Sequence, residues 1–241
     1  MAVRSVLLFG DSLAFHGPER PMPLRDPRLY PQVLAAELGP DVAVDVVARL
    51  GWTARDAWWA LTKDPMVASV YAARADALVL GVGQMDHLPA AIPTYLREGI
   101  AYVRPGSVRR RVRSAYLAAA PRVIRATGGP WRQLPQRATD TYLLRLVQAM
   151  RHLRPGLPVV LLGPSPHSSK AYPSLRHHAS AVTASRRLAE ELGLGWVDLD
   201  PIVGPSLVGR TGNPDGLHWG WTVHAEVGRS VAAELRRLGF R

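Results

Sequence analysis

Residues 3–12 read VRSVLLFGDS, an apolar run that leads directly into glycine, aspartate and serine. The run Val3–Phe9 is typical of a buried β-strand. Gly10 permits a tight turn after the strand, and a serine at that carboxyl end is well placed to act as a nucleophile. The alternative is that Asp11 or Ser12 only caps a following helix. The stretch therefore predicts the first strand and a candidate nucleophile, and leaves the role of the serine open.

Short apolar runs alternate with helical patterns along the rest of the chain. The further strand candidates are Val42–Val47, Ala77–Gly81, Pro158–Leu162 and Trp196–Leu199. The helical patterns cover Pro31–Leu38, Thr53–Leu61, Met66–Arg74, Leu88–Val103, Thr141–Leu153, Ala179–Leu192 and Thr222–Leu238. This alternation predicts an α/β fold, a three-layer α/β/α domain around a central parallel five-stranded sheet. Active sites of such folds lie at the carboxyl edge of the sheet, so the chemistry is expected in the loops that begin at Gly10, Ala48, Gly83, Gly163 and Asp200.

Two segments interrupt the alternation. Gly17–Arg28 is a proline-rich loop after the first strand, and Arg104–Arg137 is an arginine-rich stretch between the third and fourth strands. A structureless loop of the second length is improbable in a compact domain. We therefore expect residues 1–241 to form one domain, with residues 88–140 as an inserted helical cap that helps to enclose the site.

The composition is globular, with an unusual charge. Hydrophobic residues make up 47% of the chain, and 30 Lys and Arg against 19 Asp and Glu give a net charge of +11. This excess indicates either an anionic partner, such as nucleic acid, an anionic membrane or an acidic substrate, or solvated surface arginines. The lack of cysteine excludes disulfides and a cysteine nucleophile. No apolar run is long enough to span a membrane and no targeting signal is recognisable, so we expect a cytoplasmic protein.

A second motif, NPDGLH at 213–218, directly precedes the last helical pattern. Asp215 and His218 are three residues apart, which on a tight turn lets the carboxylate accept the Nδ1–H of the ring. That bond fixes the tautomer and leaves Nε2 free to take a proton from Ser12. The alternatives are ordinary turn chemistry for Asp215 and a packing role beside Trp219 for His218. Both motifs together are much less probable by chance than either alone.

These motifs resemble the GDSL/SGNH family of hydrolases and acyltransferases, and the resemblance covers the whole chain. Gly10–Ser12 matches the first block of the family, and Asp215 with His218 matches the last. The resemblance implies Ser12 as nucleophile, His218 as general base and acid, and Asp215 as its orienting partner. It implies no metal and no cofactor.

One block departs from the family pattern. Gly51 matches the glycine whose backbone N–H helps to form the oxyanion hole, but GQMD at 83–86 replaces the family's Gly-x-Asn-Asp. The thioether of Met85 cannot donate a hydrogen bond, and loss of one such donor elsewhere costs about 10²–10³ in rate. Either the oxyanion hole works with the N–H groups of Ser12 and Gly51, or Gln84 or another donor substitutes for the asparagine that Met85 replaces. The alternative to both is a fold with weakened or altered activity.

Further stretches resemble one branch of that family, the actinobacterial (mycobacterial-type) diglucosylglycerate octanoyltransferases. These stretches are RLGWTARDAWWA at 49–60, FHGP at 15–18 and DPR at 26–28. The resemblance extends to the Met-Asp pair of the third block. It implies transfer of an octanoyl group from an acyl-CoA donor to a sugar hydroxyl of a glycosylglycerate acceptor, an early step towards methylglucose lipopolysaccharides.

This branch gives the positive charge a second explanation, the phosphates of the donor and the carboxylate of the acceptor. The expected substrate-binding residues are Asp11, Trp52, Arg55, Asp86, Arg109 and Arg111. Trp52 can stack on a sugar or pack in the core, and Arg55 can reach sugar hydroxyls or pair on the helix surface. Surface or loop positions are expected for three histidines, His167, His177 and His178.

Two other functions remain open at this point. One is an SGNH esterase that hydrolyses acylated carbohydrates or other acyl esters, since water can replace the sugar. The other is a basic binding module with a silent triad, which is disfavoured because nothing resembles a recognition helix or a charged tail. We expect no nucleic acid partner and no integral membrane association, and the oligomeric state stays open.

Overall fold

The computed structural model describes residues 3–240. The strands are β1 (Arg4–Gly10), β2 (Val42–Ala48), β3 (Ala77–Gly81), β4 (Pro89–Ala90), β5 (Trp131–Arg132), β6 (Val159–Leu162) and β7 (Gly195–Val197). The helices are α1 (Tyr30–Leu38), α2 (Ala54–Lys63), α3 (Ala72–Arg74), α4 (Thr94–Gly99), α5 (Gly106–Thr127), α6 (Gln136–Leu153), α7 (His178–Glu191), α8 (Asp200–Gly209) and α9 (Trp221–Arg237). Short turns of 3₁₀ helix follow β1 (Ser12–Ala14) and α4 (Ile100–Tyr102), and a π-helical turn (Val67–Tyr71) precedes α3.

The main sheet has five parallel strands in the order β2-β1-β3-β6-β7. Side chains of β1 alternate between its two faces, as the strand period requires. Val6 and Leu8 pack in the core beneath α1, α8 and α9. Leu7 and Phe9 pack in the core beneath α2, α6 and α7. The predicted three-layer α/β/α architecture is confirmed.

The first three strands end level with one another. Gly10 is paired with Ala48 of β2 and with Gly81 of β3. The strand order changes direction between β1 and β3, and a crevice forms at the carboxyl edge of such a switch point. The loop after β1, which carries Ser12, therefore opens into this crevice.

Two predicted elements were wrong. Leu88–Val103 is not one helix, because Pro89–Ala90 pairs with Trp131–Arg132 and only Thr94–Gly99 and the following 3₁₀ turn are helical. Pro93 caps α4 and fixes where the helix begins. A loop was expected to begin at Asp200, but this segment is helix α8. A proline in its first turn favours the start of a helix, whereas its glycines are poor helix formers and gave no helical pattern in the sequence.

The arginine-rich stretch between the third and fourth strands of the main sheet is largely helical, as expected. α5 covers Gly106–Thr127 and buries only Ala120 and Ile124. Across residues 3–240, no helix combines the length and the apolar character that a membrane span requires.

Candidate active site

The turn after β1 holds Ser12 at the carboxyl edge of the sheet. Gly10 is required there, because a Cβ at this position would lie 2.8 Å from the Cβ of Ala14. The Asp11 carboxylate accepts a hydrogen bond from the backbone N–H of Leu13 (2.9 Å) and caps the 3₁₀ turn. Ser12 is the first residue of that turn and is buried. The turn thus fixes the serine hydroxyl beside the crevice.

Asp215 organises the loop that precedes α9. Its Oδ1 accepts hydrogen bonds from the backbone N–H groups of Leu217 (2.8 Å) and His218 (3.0 Å), and the side chain of Asn213 accepts one from the Asp215 N–H (2.9 Å). Its Oδ2 is left to accept the Nδ1–H of the His218 ring at 2.5 Å. One carboxylate therefore shapes the turn and orients the histidine.

The ring of His218 connects this loop to Ser12. With Nδ1 carrying the proton, Nε2 accepts a hydrogen bond from the Ser12 hydroxyl at 3.0 Å. Burial lowers the pKa of His218, and Asp215 offsets that effect only in part. Burial raises the pKa of Asp215, but the hydrogen bonds from Leu217 and His218 more than offset it. At neutral pH this gives a neutral imidazole between a hydroxyl and a carboxylate, the arrangement that activates a serine.

A second histidine, which belongs to the FHGP stretch but was given no role of its own, packs on this ring. His16 is stacked on His218, with ring centroids 3.7 Å apart and planes inclined by 18°. Its own Nδ1 donates to the carbonyl of Gly17 (2.7 Å), and its carbonyl accepts a hydrogen bond from His224 (3.1 Å). His16 thus holds one face of the His218 ring. Only the fold brings residues 16 and 218 together.

A cavity of about 280 Å³ opens beside Ser12 and His218. Most of its wall is apolar, and the side chains concerned are Leu13, Leu50, Met85, Leu88, Pro166 and Leu217. This volume is near the lower end of the range for small-molecule sites, about 300–1,000 Å³. This volume and the apolar lining suit an apolar chain of modest length.

The four residues expected around the oxyanion all line this cavity, but they differ in what they can offer. The backbone N–H groups of Ser12 and Gly51 donate to no acceptor among residues 3–240. Gly51 has φ = +73°, a conformation that favours glycine. The Gln84 side chain is engaged elsewhere, since it donates to the Gly163 carbonyl (2.8 Å) and accepts from the Ser165 N–H (2.5 Å). Met85 offers only its thioether.

The two aspartates expected to bind substrate are almost fully buried. Asp11 is 1% exposed and lines the cavity with its backbone turn. Asp86 is 2% exposed, does not line the cavity, and accepts hydrogen bonds from the Thr139 hydroxyl (2.8 Å) and the Ala54 N–H (3.3 Å). Burial raises the pKa of each to about 7. Asp86 therefore joins the loop after β3 to α2 and α6, a role inside the fold.

Trp52 and Arg55, which were both expected to bind substrate, do not line the cavity beside Ser12. Trp52 lines an open groove of about 700 Å³ beside β2 and α2, together with Arg49, Trp59 and Lys63. The Arg55 guanidinium is paired with Glu98 of α4 and packs over the Trp59 ring at 4.8 Å. Arg55 thus links α2 to the insertion, and it lines neither this groove nor the cavity beside Ser12.

Arg109 and Arg111, which were both expected to bind substrate, belong to α5 but do not share one concave surface. Arg109 lines a third concave surface, on the insertion, whereas Arg111 is exposed and does not line it. His167 lies in a loop, one of the two positions expected for it, but its ring is only 5% exposed and lines the cavity beside Ser12. Neither of its nitrogens has a partner among residues 3–240.

Among residues 3–240, no group of three His, Asp or Glu side chains converges in a way that could hold a metal ion.

Comparisons with known proteins agree with this geometry. The chain is 38% identical over 237 residues to a diglucosylglycerate octanoyltransferase of Mycolicibacterium hassiacum, covering 98% of this chain and 96% of that protein. It is also 38% identical over 239 residues to a diglucosylglycerate octanoyltransferase of Mycobacterium tuberculosis, covering 98% of this chain and 93% of that protein. No protein-family model matches the chain.

Among solved structures, a lipase/acylhydrolase from Enterococcus faecalis is similar, with a TM-score of 0.64 and 17% identity over 97% of this chain and 96% of that one. Identity this low shows the fold alone, and the fold is that of the SGNH hydrolases. The resemblance seen in the sequence is confirmed by both kinds of comparison. The chain belongs to the diglucosylglycerate octanoyltransferase family, a family of acyltransferases.

Proposed function

We propose that this chain transfers an octanoyl group from an acyl-CoA to a sugar hydroxyl of diglucosylglycerate through an octanoyl ester of Ser12. The reaction would take place in the cytoplasm, as an early step of methylglucose lipopolysaccharide synthesis. The observation that carries the proposal is the hydrogen-bonded line from Asp215 through His218 to Ser12, beside an apolar cavity, in a chain of this family.

In the first half-reaction, the neutral His218 ring takes the proton of Ser12 as Oγ forms a bond to the thioester carbonyl carbon. The developing oxyanion accepts hydrogen bonds from the free backbone N–H groups of Ser12 and Gly51. The C–S bond then breaks, and the protonated His218 gives its proton to the leaving sulfur. The products are a free thiol and an octanoyl ester on Ser12, with the acyl chain in the 280 Å³ cavity.

In the second half-reaction, a sugar hydroxyl attacks the ester carbonyl while His218 takes its proton. The Ser12–acyl bond breaks, and the proton returns from His218 to Oγ. Asp215 stays ionised throughout and stabilises the imidazolium in each step. If water attacks instead of the sugar, the same residues hydrolyse the thioester, so transfer depends on how the acceptor is held.

The groove beside α2 is the candidate acceptor site. Leu50 and Gly51 line the cavity beside Ser12, which we call the acyl cavity. Arg49 and Trp52 line the groove, so a single loop separates the groove from the acyl cavity. Trp52 offers an aromatic face to a pyranose ring, and Arg49 and Lys63 offer positive charge to the glycerate carboxylate. Residues 88–140 would serve as the cap that limits access of water.

The test is an assay with octanoyl-CoA and diglucosylglycerate in which free thiol and acylated glycoside are both followed, the latter by mass spectrometry. Wild type should release thiol and form acylated glycoside in equal amounts. Ser12→Ala should do neither, and Ser107→Ala, which changes an exposed serine of α5, should match wild type. Free octanoate without acylated glycoside would assign hydrolysis and overturn the proposal.

A further inference from the structure

The insertion carries a concave surface that the chemistry at Ser12 does not use. It is a groove of about 570 Å³ between α4, its following turn and α5. Four arginines line it together with apolar and aromatic side chains, and the residues that matter here are Arg97, Arg109, Arg110, Arg113, Tyr116 and Leu117. We call this surface the arginine groove.

The positive charge of the arginine groove is not neutralised within the described part of the chain. None of its four arginines forms an ion pair with a residue in 3–240, in contrast to Arg28 or Arg74 elsewhere. Arg97 is the most informative. Its Nη2 donates to the Gln133 carbonyl at 2.9 Å, while its Nη1 is buried and has no acceptor in those residues. A buried donor without a partner is costly, which points to a ligand with acceptor oxygens.

The arginine groove is connected to the wall of the acyl cavity through Gln133. Tyr172 lines the cavity beside Ser12, and Tyr116 lines the groove. Burial raises the pKa of each tyrosine, and the nearby charge of Arg97 lowers both. The Gln133 carbonyl accepts the hydrogen bond from Arg97, and the Gln133 N–H donates to the carbonyl of Leu88 (2.9 Å), which lines the cavity, so one residue connects Arg97 to the cavity wall.

We propose that the arginine groove binds the phosphorylated nucleotide end of the acyl-thioester donor, with the thioester arm passing Arg97 and Tyr172 to reach Ser12. The inference rests on the proposed function. Guanidinium groups bind phosphates through paired N–H donors, and an aromatic face such as that of Tyr116 suits a nucleobase. The groove volume falls within the range of small-molecule sites, about 300–1,000 Å³. An anionic membrane offers the same charge, but the concave shape and the link to Ser12 favour the smaller ligand.

The experiment compares Arg113→Gln with Arg122→Gln. Both variants remove one positive charge from α5, but Arg122 is exposed outside the groove and bonds only to the Ala118 carbonyl of its own helix. Arg113→Gln should raise the KM for octanoyl-CoA and the Kd for coenzyme A about tenfold, with kcat unchanged. Arg122→Gln should stay within about twofold of wild type. Both variants should cleave p-nitrophenyl octanoate, which has no phosphate, as fast as wild type.

The outcomes separate this inference from the function on which it rests. Equal KM values for the two variants would overturn the inference while leaving the transferase intact. Wild type that releases no thiol from octanoyl-CoA would overturn the proposed donor, and coenzyme A titrated into Ser12→Ala would then test the groove alone. Loss of binding to phosphatidylglycerol vesicles in Arg113→Gln, with the Kd for coenzyme A unchanged, would assign the groove to a membrane surface and overturn the inference.

Discussion

At the scale of single residues, Asp215 performs two tasks with its two oxygens. Oδ1 accepts two backbone N–H groups and so defines the turn, while Oδ2 holds the His218 ring. The orientation of the ring is therefore tied to the shape of the loop, and His16 limits its movement from the stacked face. A change at any of these three side chains should alter the reaction more than the stability of the protein.

The pH dependence of the reaction tests this arrangement. His218 must be neutral to accept the Ser12 proton, and burial holds its pKa below the usual value, so kcat/KM should fall on the acid side with a midpoint below about 6.5. His16→Phe keeps a stacked ring but removes a charge that lowers this pKa, so the midpoint should move to higher pH. Asp215→Asn should lower kcat about 10⁴-fold.

The measurement is a pH–rate profile for wild type and these two variants with octanoyl-CoA. Thermal melts of the same samples serve as the control for folding. A wild-type midpoint above about 6.5, or an Asp215→Asn variant within tenfold of wild type, would contradict the roles given to His218 and Asp215.

Single residues also differ in how far sequence alone could predict them. The triad candidates were visible because Asp215 and His218 are near in sequence and Ser12 follows an unmistakable strand. The positions of His16 and His167 at the site were missed, because stacking on His218 and burial beside Ser12 depend on contacts between distant segments. Arg55 was predicted either to reach sugar hydroxyls or to pair on the helix surface, and its partner Glu98 could not be named because it lies 43 residues away on a helix whose bounds were predicted wrongly.

At the scale of elements, α2 is held at its start by two carboxylates. Asp56 completes a capping box with Thr53, and Asp86 accepts the Ala54 N–H from the loop after β3. Along its length, Arg55 pairs with Glu98 and so connects α2 to α4. The helix that flanks the proposed acceptor groove is thus fixed to the sheet and to the insertion.

The Arg55–Glu98 pair gives a prediction about stability. Side-chain exposures of 20% and 38% place it near the surface, so Glu98→Gln should lower the free energy of unfolding by about 1 kcal/mol or less. Arg55→Met should cost somewhat more, since it also removes the contact over Trp59. The double variant should cost about as much as Arg55→Met alone, because both changes break one pair.

Urea denaturation of the three variants measures these free energies. Additive losses would contradict a direct pair. A tenfold rise in the acceptor KM for Arg55→Met, with none for Glu98→Gln, would instead assign Arg55 to sugar binding.

At the scale of the whole molecule, the sheet was predictable strand by strand, whereas the insertion was predicted as helical but the bounds of its elements were not. Val3–Phe9 and the other apolar runs predict buried parallel strands because both faces of the sheet are covered. The insertion follows no such rule. α5 buries two side chains over its 22 residues, so little apolar patterning marks its position, and β4 and β5 have only two residues each.

The distribution of the net charge of +11 over the molecule is more informative than its size. Eight arginines elsewhere are paired with carboxylates, such as Arg186 with Asp198 and Arg237 with Glu234. The four arginines of the groove form no ion pair within residues 3–240, and Gln133 connects one of them, Arg97, to the wall of the cavity beside Ser12. Local charge near the site, more than the net charge, is therefore what an anionic donor would meet.

The central claim is that acyl transfer proceeds through an ester of Ser12, and intact-protein mass spectrometry tests it most directly. Wild type mixed with octanoyl-CoA, without acceptor, and quenched in acid should gain the mass of one octanoyl group on the peptide that contains Ser12. Addition of diglucosylglycerate should remove that mass and produce acylated glycoside. An unmodified Ser12 peptide, together with a Ser12→Ala variant that still forms acylated glycoside at the wild-type rate, would contradict the account.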